Sequence, residues 1–219
     1  MGRRFFFGFI FVIMIGLLYA GCSNDGNPAN PEEQTKTITA ISGKLENWSL
    51  GSGKTISFVY GGAGFLTSFG VSEISDAGSF NIELSAPDSS LLESGRGFVD
   101  GSCDKDITVS DTSAMFVLGM LVISENNKVI GFAQHGGGAG QTQTDTVGSF
   151  TINYYYFDRN ADISGIQLCG SKERYDYDLS FEKGWNRVAG SLTENSPTSV
   201  KYEYKTDVPE GSKFVFRNL

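Results

Sequence analysis

The sequence predicts an all-β protein made of antiparallel sheets packed face to face. Three observations carry that expectation. Several segments alternate apolar and polar residues with a period of two, which puts one set on a core face and the other in water. Glycine is abundant, at 28 of 219 residues, and many of these fall between the alternating segments, where turns need them. No long segment holds a helical period.

The candidate strands follow in order. Ile56, Phe58 and Tyr60 form the first clear alternating set. Phe80, Ile82 and Leu84 alternate with Asn81, Glu83 and Ser85. The longest apolar run of the folded part, Ala114 to Ile123, is ten residues, too short for a bilayer, and reads as a buried strand. Tyr154, Tyr155, Tyr156 and Phe157 are consecutive, so a strand would send them to both faces. Tyr175, Tyr177, Leu179 and Phe181 alternate with Asp176, Asp178, Ser180 and Glu182, and Val200, Tyr202 and Tyr204 with Lys201, Glu203 and Lys205. Phe214 and Phe216 suggest a closing strand, and Ser89 to Ser94 has room for one helical turn. Strands of this kind assemble into a sandwich or barrel, and no internal repeat is visible.

The N-terminus has a different character. Arg3 and Arg4 precede an uncharged stretch, 5–21, that ends in small residues before Cys22, the layout of a secretory signal. The exit Leu17-Leu18-Tyr19-Ala20-Gly21-Cys22 resembles the lipobox of bacterial lipoproteins. Ala20 and Gly21 fit it, whereas Tyr19 stands where a leucine is usual. The resemblance implies cleavage before Cys22, lipid on its thiol and attachment to a membrane. Ser23 after the cysteine is compatible with outer-membrane sorting in bacteria with two membranes. Residues 22–36 then form the lipidated cysteine and a polar, proline-bearing tether. The fourteen residues 23–36 reach at most about 45–50 Å when extended.

Removal of 1–21 takes away two arginines and no acid, so the net charge moves from −8 to −10. An acidic body of this kind repels phosphate backbones, which argues against nucleic acid as a partner. With Cys22 lipidated, Cys103 and Cys169 remain as a candidate disulfide in an oxidising compartment.

Two further resemblances concern the body. Ile41-Ser42-Gly43-Lys44-Leu45, Ile56-Ser57-Phe58-Val59-Tyr60 and Ser75-Asp76-Ala77-Gly78-Ser79-Phe80 resemble the carboxypeptidase-regulatory, transthyretin-like β-sandwich of bacterial surface proteins. That resemblance covers 37–87 and implies a non-catalytic spacer or interaction module. The aromatic strand followed by Lys183-Gly184-Trp185-Asn186 resembles the ends of uncharacterised bacterial lipoproteins and implies a second β-rich domain, 98–219. One extended sandwich across both segments is the other arrangement.

Several motifs suggest chemistry, and each has a plainer reading. Gly51-Ser52-Gly53-Lys54-Thr55 looks like the end of a phosphate-binding loop, but Trp48 stands where that loop needs its first glycine and a strand follows. A hairpin turn is expected. His135-Gly136-Gly137-Gly138 is similar to the oxyanion loop of lipases, yet no serine has glycine at both flanking positions, and a glycine loop over 136–140 is expected. Asp158-Arg159-Asn160-Ala161-Asp162 has calcium-loop spacing without the required glycine and glutamate. Asp100, Asp104 and Asp106, with Asp111 beyond, are the candidate ligands for a structural calcium ion, against a solvated acidic loop. One histidine and two distant cysteines give no zinc-ligand spacing, and no carboxylate pair stands out for sugar hydrolysis. Trp185, Tyr155 and Trp48 are the candidate sugar- or peptide-binding aromatics, because exposed rings mark binding surfaces.

These features point to a lipid-anchored envelope protein with no catalytic role and no cofactor, acting as an interaction, adhesion or structural module. The alternatives are a carbohydrate- or peptide-binding surface lipoprotein and an accessory subunit of an envelope export or assembly complex.

Overall fold

The computed structural model describes residues 37–62, 65–98, 103–138 and 146–219. The signal segment, Cys22, the tether and Asp100 lie outside the described residues. The strands are β1 (Thr37–Ile38), β2 (Ala40–Glu46), β3 (Lys54–Gly62), β4 (Phe65–Ile74), β5 (Ser79–Glu83), β6 (Glu93–Ser94), β7 (Asp104–Val109) and β8 (Met115–Glu125). They continue as β9 (Lys128–Gly137), β10 (Phe150–Phe157), β11 (Ala161–Cys169), β12 (Glu173–Phe181), β13 (Gly184–Asn195), β14 (Val200–Lys205) and β15 (Lys213–Asn218). Two short 3₁₀ turns, Ser89–Leu91 and Gly95–Phe98, complete the elements, and no α-helix occurs among the described residues. The all-β expectation holds. Two of the strand pairings are parallel, β12 with β14 and β2 with β15.

Seven strands close a ring around the first core. β5 pairs with β2, β2 with β15, β15 with β9, β9 with β8, β8 with β3 and β3 with β4. β4 comes back alongside β5 without a strand ladder: Asn81 N–H donates to Ser72 Oγ at 3.2 Å, and just past the end of β5 Ser85 N–H donates to Phe69 O at 2.8 Å. Inside lie Ile41, Leu45, Ile56, Phe58, Phe69, Ile82, Leu121, Ile123 and Phe214, all buried. These are the period-two residues of each strand, so burial of their apolar area is the main driving force here. Segment 37–87 supplies four of the seven strands, and β8, β9 and β15 supply the rest. By contact, Thr35–Leu219 forms one unit.

A second layer extends from the same strand. The first half of β8 pairs with β10, and the order runs on through β13, β14, β12 and β11 to β7. This sheet covers a second core of Phe116, Phe157, Ala161, Ile163, Leu179, Phe181 and Val188. β8 and β10 serve both cores by parity. Val117, Leu121, Ile152 and Tyr154 face the first, and Phe116 and Phe157 the second. The consecutive aromatics 154–157 are therefore divided between two faces, as a strand requires.

Local chemistry explains the turns. β8 and β9 are joined by Asn126 (φ 48°) and Asn127 (φ 62°), two left-handed residues of the kind that a tight hairpin with right-handed twist demands. Gly51 to Thr55 forms the expected turn into β3. Lys54 Nζ is bonded to the Leu50 and Ser52 carbonyls and lies 3.3 Å from Glu125. Asp76 Oδ1 accepts the Ser52 N–H at 2.7 Å, so neither the lysine nor that amide awaits a phosphate. The glycine loop expected over 136–140 needs correction. Gly136 and Gly137 belong to β9 and pair with Thr151 and Phe150. A Cβ on Gly136 would sit 2.3 Å from Phe150 O, so glycine here serves close strand approach.

Candidate functional site

Among the described residues, a cavity with polar walls is lined by β2, β9, β10, β13 and the start of β15. It has a volume of about 440 Å³. β9 contributes His135 and β10 contributes Tyr154, while β13 brings Arg187. The β15 end adds Ser212 and Lys213, and β2 adds Ser42, Lys44 and Glu46. Strand register fixes the geometry. Tyr154 is the direct cross-strand partner of Arg187, and His135 of Phe214. His135 consequently stacks on the Phe214 ring at 3.9 Å with planes 14° apart.

A hydrogen-bonded row forms one wall. His135 Nδ1 is 2.6 Å from the Tyr154 hydroxyl, and Nε2 is 2.9 Å from Ser212 Oγ. Burial, with the nearby Arg187 charge adding to it, lowers the His135 pKa to about 4. The ring is neutral near pH 7, so one nitrogen donates and the other accepts. Burial pushes the Tyr154 hydroxyl well above the ordinary phenol range.

The Ser212–His135 contact has the outline of a nucleophile and base, but the chemistry opposes it. A working base needs a pKa near the operating pH and a group behind it that stabilises the imidazolium. Here the group behind the ring is a neutral phenol, and a guanidinium stands nearby. The arrangement instead presents hydroxyls and cations to whatever occupies the cleft. A second cavity, about 390 Å³, opens where β8 leaves β10 for β9 and shares the His135 and Tyr154 wall. It is lined mainly by apolar groups and backbone, Met120 and Phe132 among them.

The aromatic candidates do not meet. Trp185 is 3% exposed, its ring against Phe58 and Phe69, and its indole N–H donates to Ser85 O at 2.9 Å. It is a core residue, which corrects the expectation that it offers a face to a ligand. Tyr155 turns to the second core, 5.0 Å from Phe98, and burial raises its pKa. Trp48 is half-buried, edge-on to Phe216 at 5.5 Å, with its N–H on Gly51 O. A different aromatic row is present on β12 and β14. Tyr175 stacks on Tyr202 at 5.3 Å and Tyr177 on Tyr204 at 5.2 Å. Because these rings face one another, they offer chiefly edges outward, a poor platform for a sugar.

The carboxylates are likewise dispersed or engaged. Asp104 and Asp106 are exposed on β7, opposite Leu168 and Ile166 of β11. Asp111 and Asp158 both hold Arg159, at 4.0 and 3.0 Å. Asp158 also accepts the Met115 N–H at 2.8 Å, and together these bonds keep its carboxyl below the usual range despite partial burial. Among the described residues no three His, Cys, Asp or Glu side chains gather as metal ligands. Cys103 and Cys169 do come together as a disulfide with Cα atoms 4.8 Å apart, tying the start of β7 to the end of β11.

Sequence reasoning missed the cleft. Arg187 carried the signal. It shares strand parity with Trp185 and Ala189, both buried, so a cation occupies a position whose neighbours face a core. No family model, no curated protein and no solved structure matches the chain.

Proposed function

We propose that the chain is a lipid-anchored protein of the cell envelope whose β body binds a ligand or partner without performing chemistry. The observation that carries the binding role is the cleft. Its single imidazole is already hydrogen-bonded through both nitrogens, and exposed cations are among its lining residues. Such a site is suited to holding a polar molecule rather than to moving protons. The Cys103–Cys169 disulfide supports residence in an oxidising compartment. The lipobox-like exit before Cys22 supports the anchor, and the outer membrane is the proposed destination.

The anchor is tested by expressing the full chain in a bacterial host with a clickable fatty acid. The wild type takes up label and needs detergent for extraction, and Cys22→Ser loses both properties. Unlabelled wild-type protein recovered in the aqueous fraction would overturn the reading.

A further inference from the structure

We propose that the cleft between β2, β13 and β15 is a binding site for a small hydroxylated ligand bearing one oxyanion, carboxylate or phosphate, with Arg187 and Lys44 as its cationic clamp. This deepens the binding role above and rests on it.

The charge pattern comes first. The chain as a whole is −8, yet the cleft gathers Arg187, Lys44 and Lys213 against the single carboxylate of Glu46. Elsewhere Lys54, Arg159, Arg174, Lys201 and Lys205 each have a carboxylate partner. Lys105, Lys128, Lys172 and Lys183 are exposed without an ion pair among the described residues but scattered over separate strands and turns, so the cleft is distinguished by gathering its cations. Arg187 and Lys44 have no ion pair or hydrogen bond among the described residues, and both are exposed. Lys213 lies 3.6 Å from Glu46 with both side chains nearly half exposed. A pair of that kind is weak and readily redirected.

Placement comes second. Arg187 sits on an interior strand, paired with Tyr154 of β10 on one edge and, on the other, lying between the end of the β1 pairing at Asn186 and the start of the β14 pairing at Ala189. A guanidinium offers five donors in a planar fork that matches a carboxylate or phosphate edge. Held beside Tyr154 at the cleft wall, that fork is unused. β2 adds the Ser42 hydroxyl, and Ser212, already bonded to His135 Nε2, adds a second one; both suit the remaining polar atoms of a sugar-like ring. A cleft volume of about 440 Å³ is the right scale for one such ring.

The test uses the full chain in detergent micelles and calorimetric titration with glucuronate, glucose 6-phosphate and glucose. Saturable binding of glucuronate or of glucose 6-phosphate is expected, weakened at least about tenfold by Arg187→Ala, less by Arg187→Lys, and reduced by added salt. The stronger of the two anions identifies carboxylate or phosphate as the preferred group. Because Arg187 is exposed, Arg187→Ala should melt within about 2 °C of wild type, and that check separates lost binding from lost fold. Glucose binding as well as the anions, with no response to Arg187→Ala, overturns the anion inference and leaves the cleft a neutral binder. Anion binding insensitive to Arg187→Ala, or no heat from any of the three at about 10 mM, overturns it as well.

Discussion

The indole N–H of Trp185 donates a 2.9 Å hydrogen bond to the backbone carbonyl of Ser85, one hundred residues earlier in the chain. Ser85 N–H in turn donates to Phe69 O at 2.8 Å, so β13, the segment after β5, and β4 are tied in one line. Trp185→Phe keeps an aromatic ring against Phe58 but leaves that carbonyl without its partner. The expected cost is about 1–3 kcal/mol, measured as a lower midpoint in urea. Because β8, β10 and β13 line both cores, wild type should unfold in one transition. Tryptophan fluorescence and far-UV circular dichroism should therefore coincide, and a separate early loss of either signal would contradict the shared scaffold.

Much of the scaffold was legible because a period of two is a direct consequence of the extended chain. Phe80 and Ile82, Leu179 and Phe181, and Ile56 and Phe58 all point inward as their alternation predicts. The 114–123 run was legible as a buried strand for the same reason. Strand partners were not legible, since the closure of the first core depends on β15 reaching back to β2 across most of the chain. The cleft was hidden for a related reason. His135, Tyr154, Arg187 and Ser212 come from three strands and a loop, and only register places them together. Trp185 misled in the other direction, because a large ring after a glycine reads equally well as a surface anchor or as a core plug.

Gly119 shows how tightly the first core is filled. It lies on β8 beneath Phe58, where an added Cβ would stand 2.1 Å from the ring Cζ. Gly119→Ala must push Phe58 off its seat among Phe69, Tyr154 and Trp185. A loss of about 1–3 kcal/mol is expected from overpacking. Gly97→Ala is the matched control, since no atom lies within 4 Å of its Cβ position, and its midpoint should stay within about 0.5 kcal/mol of wild type. Equal behaviour of the two variants would show that the Phe58 contact does not constrain the strand.

The Cys103–Cys169 bridge spans 66 residues and clamps the edge strand β7. Loop closure of that length restricts the unfolded chain by about 4 kcal/mol in the entropy model. Reduction, or Cys103→Ser with Cys169→Ser, should lower the melting temperature by roughly 10 °C for a body of this size. Loss should begin locally, with amide exchange accelerating first in β7 and β11, because β7 has β11 as its strand partner. Uniform acceleration across all strands would argue that the bridge acts only through the unfolded state.

His135 gives the protein a pH dependence of predictable sign. Its folded pKa is lowered from 6.5 to about 4, chiefly by burial. Between those values the unfolded chain binds the extra proton and the folded one does not, so stability falls as pH drops. The imidazole contributes no such loss above about pH 7, and the full difference corresponds to roughly 3 kcal/mol once pH passes below about 4. Asp76, Asp111 and Asp176 have carboxyls held below their usual range by hydrogen bonds, from Ser52, Ser113 and Arg174 respectively. Their stabilisation is present above the unfolded value of 3.8 and is lost only as pH falls beneath it. Glu203, held below 4.5 chiefly by its hydrogen bond from Lys201, begins to contribute only at the lower end of the interval from about pH 6.5 to 4.5, so the histidine dominates it. Urea unfolding across it should show wild type losing about 2–3 kcal/mol, while His135→Gln, whatever its stability at neutral pH, stays nearly flat. A wild-type midpoint that does not move between those two pH values would mean that the imidazole takes up its proton in the folded state, and the doubly bonded neutral ring would have to be abandoned.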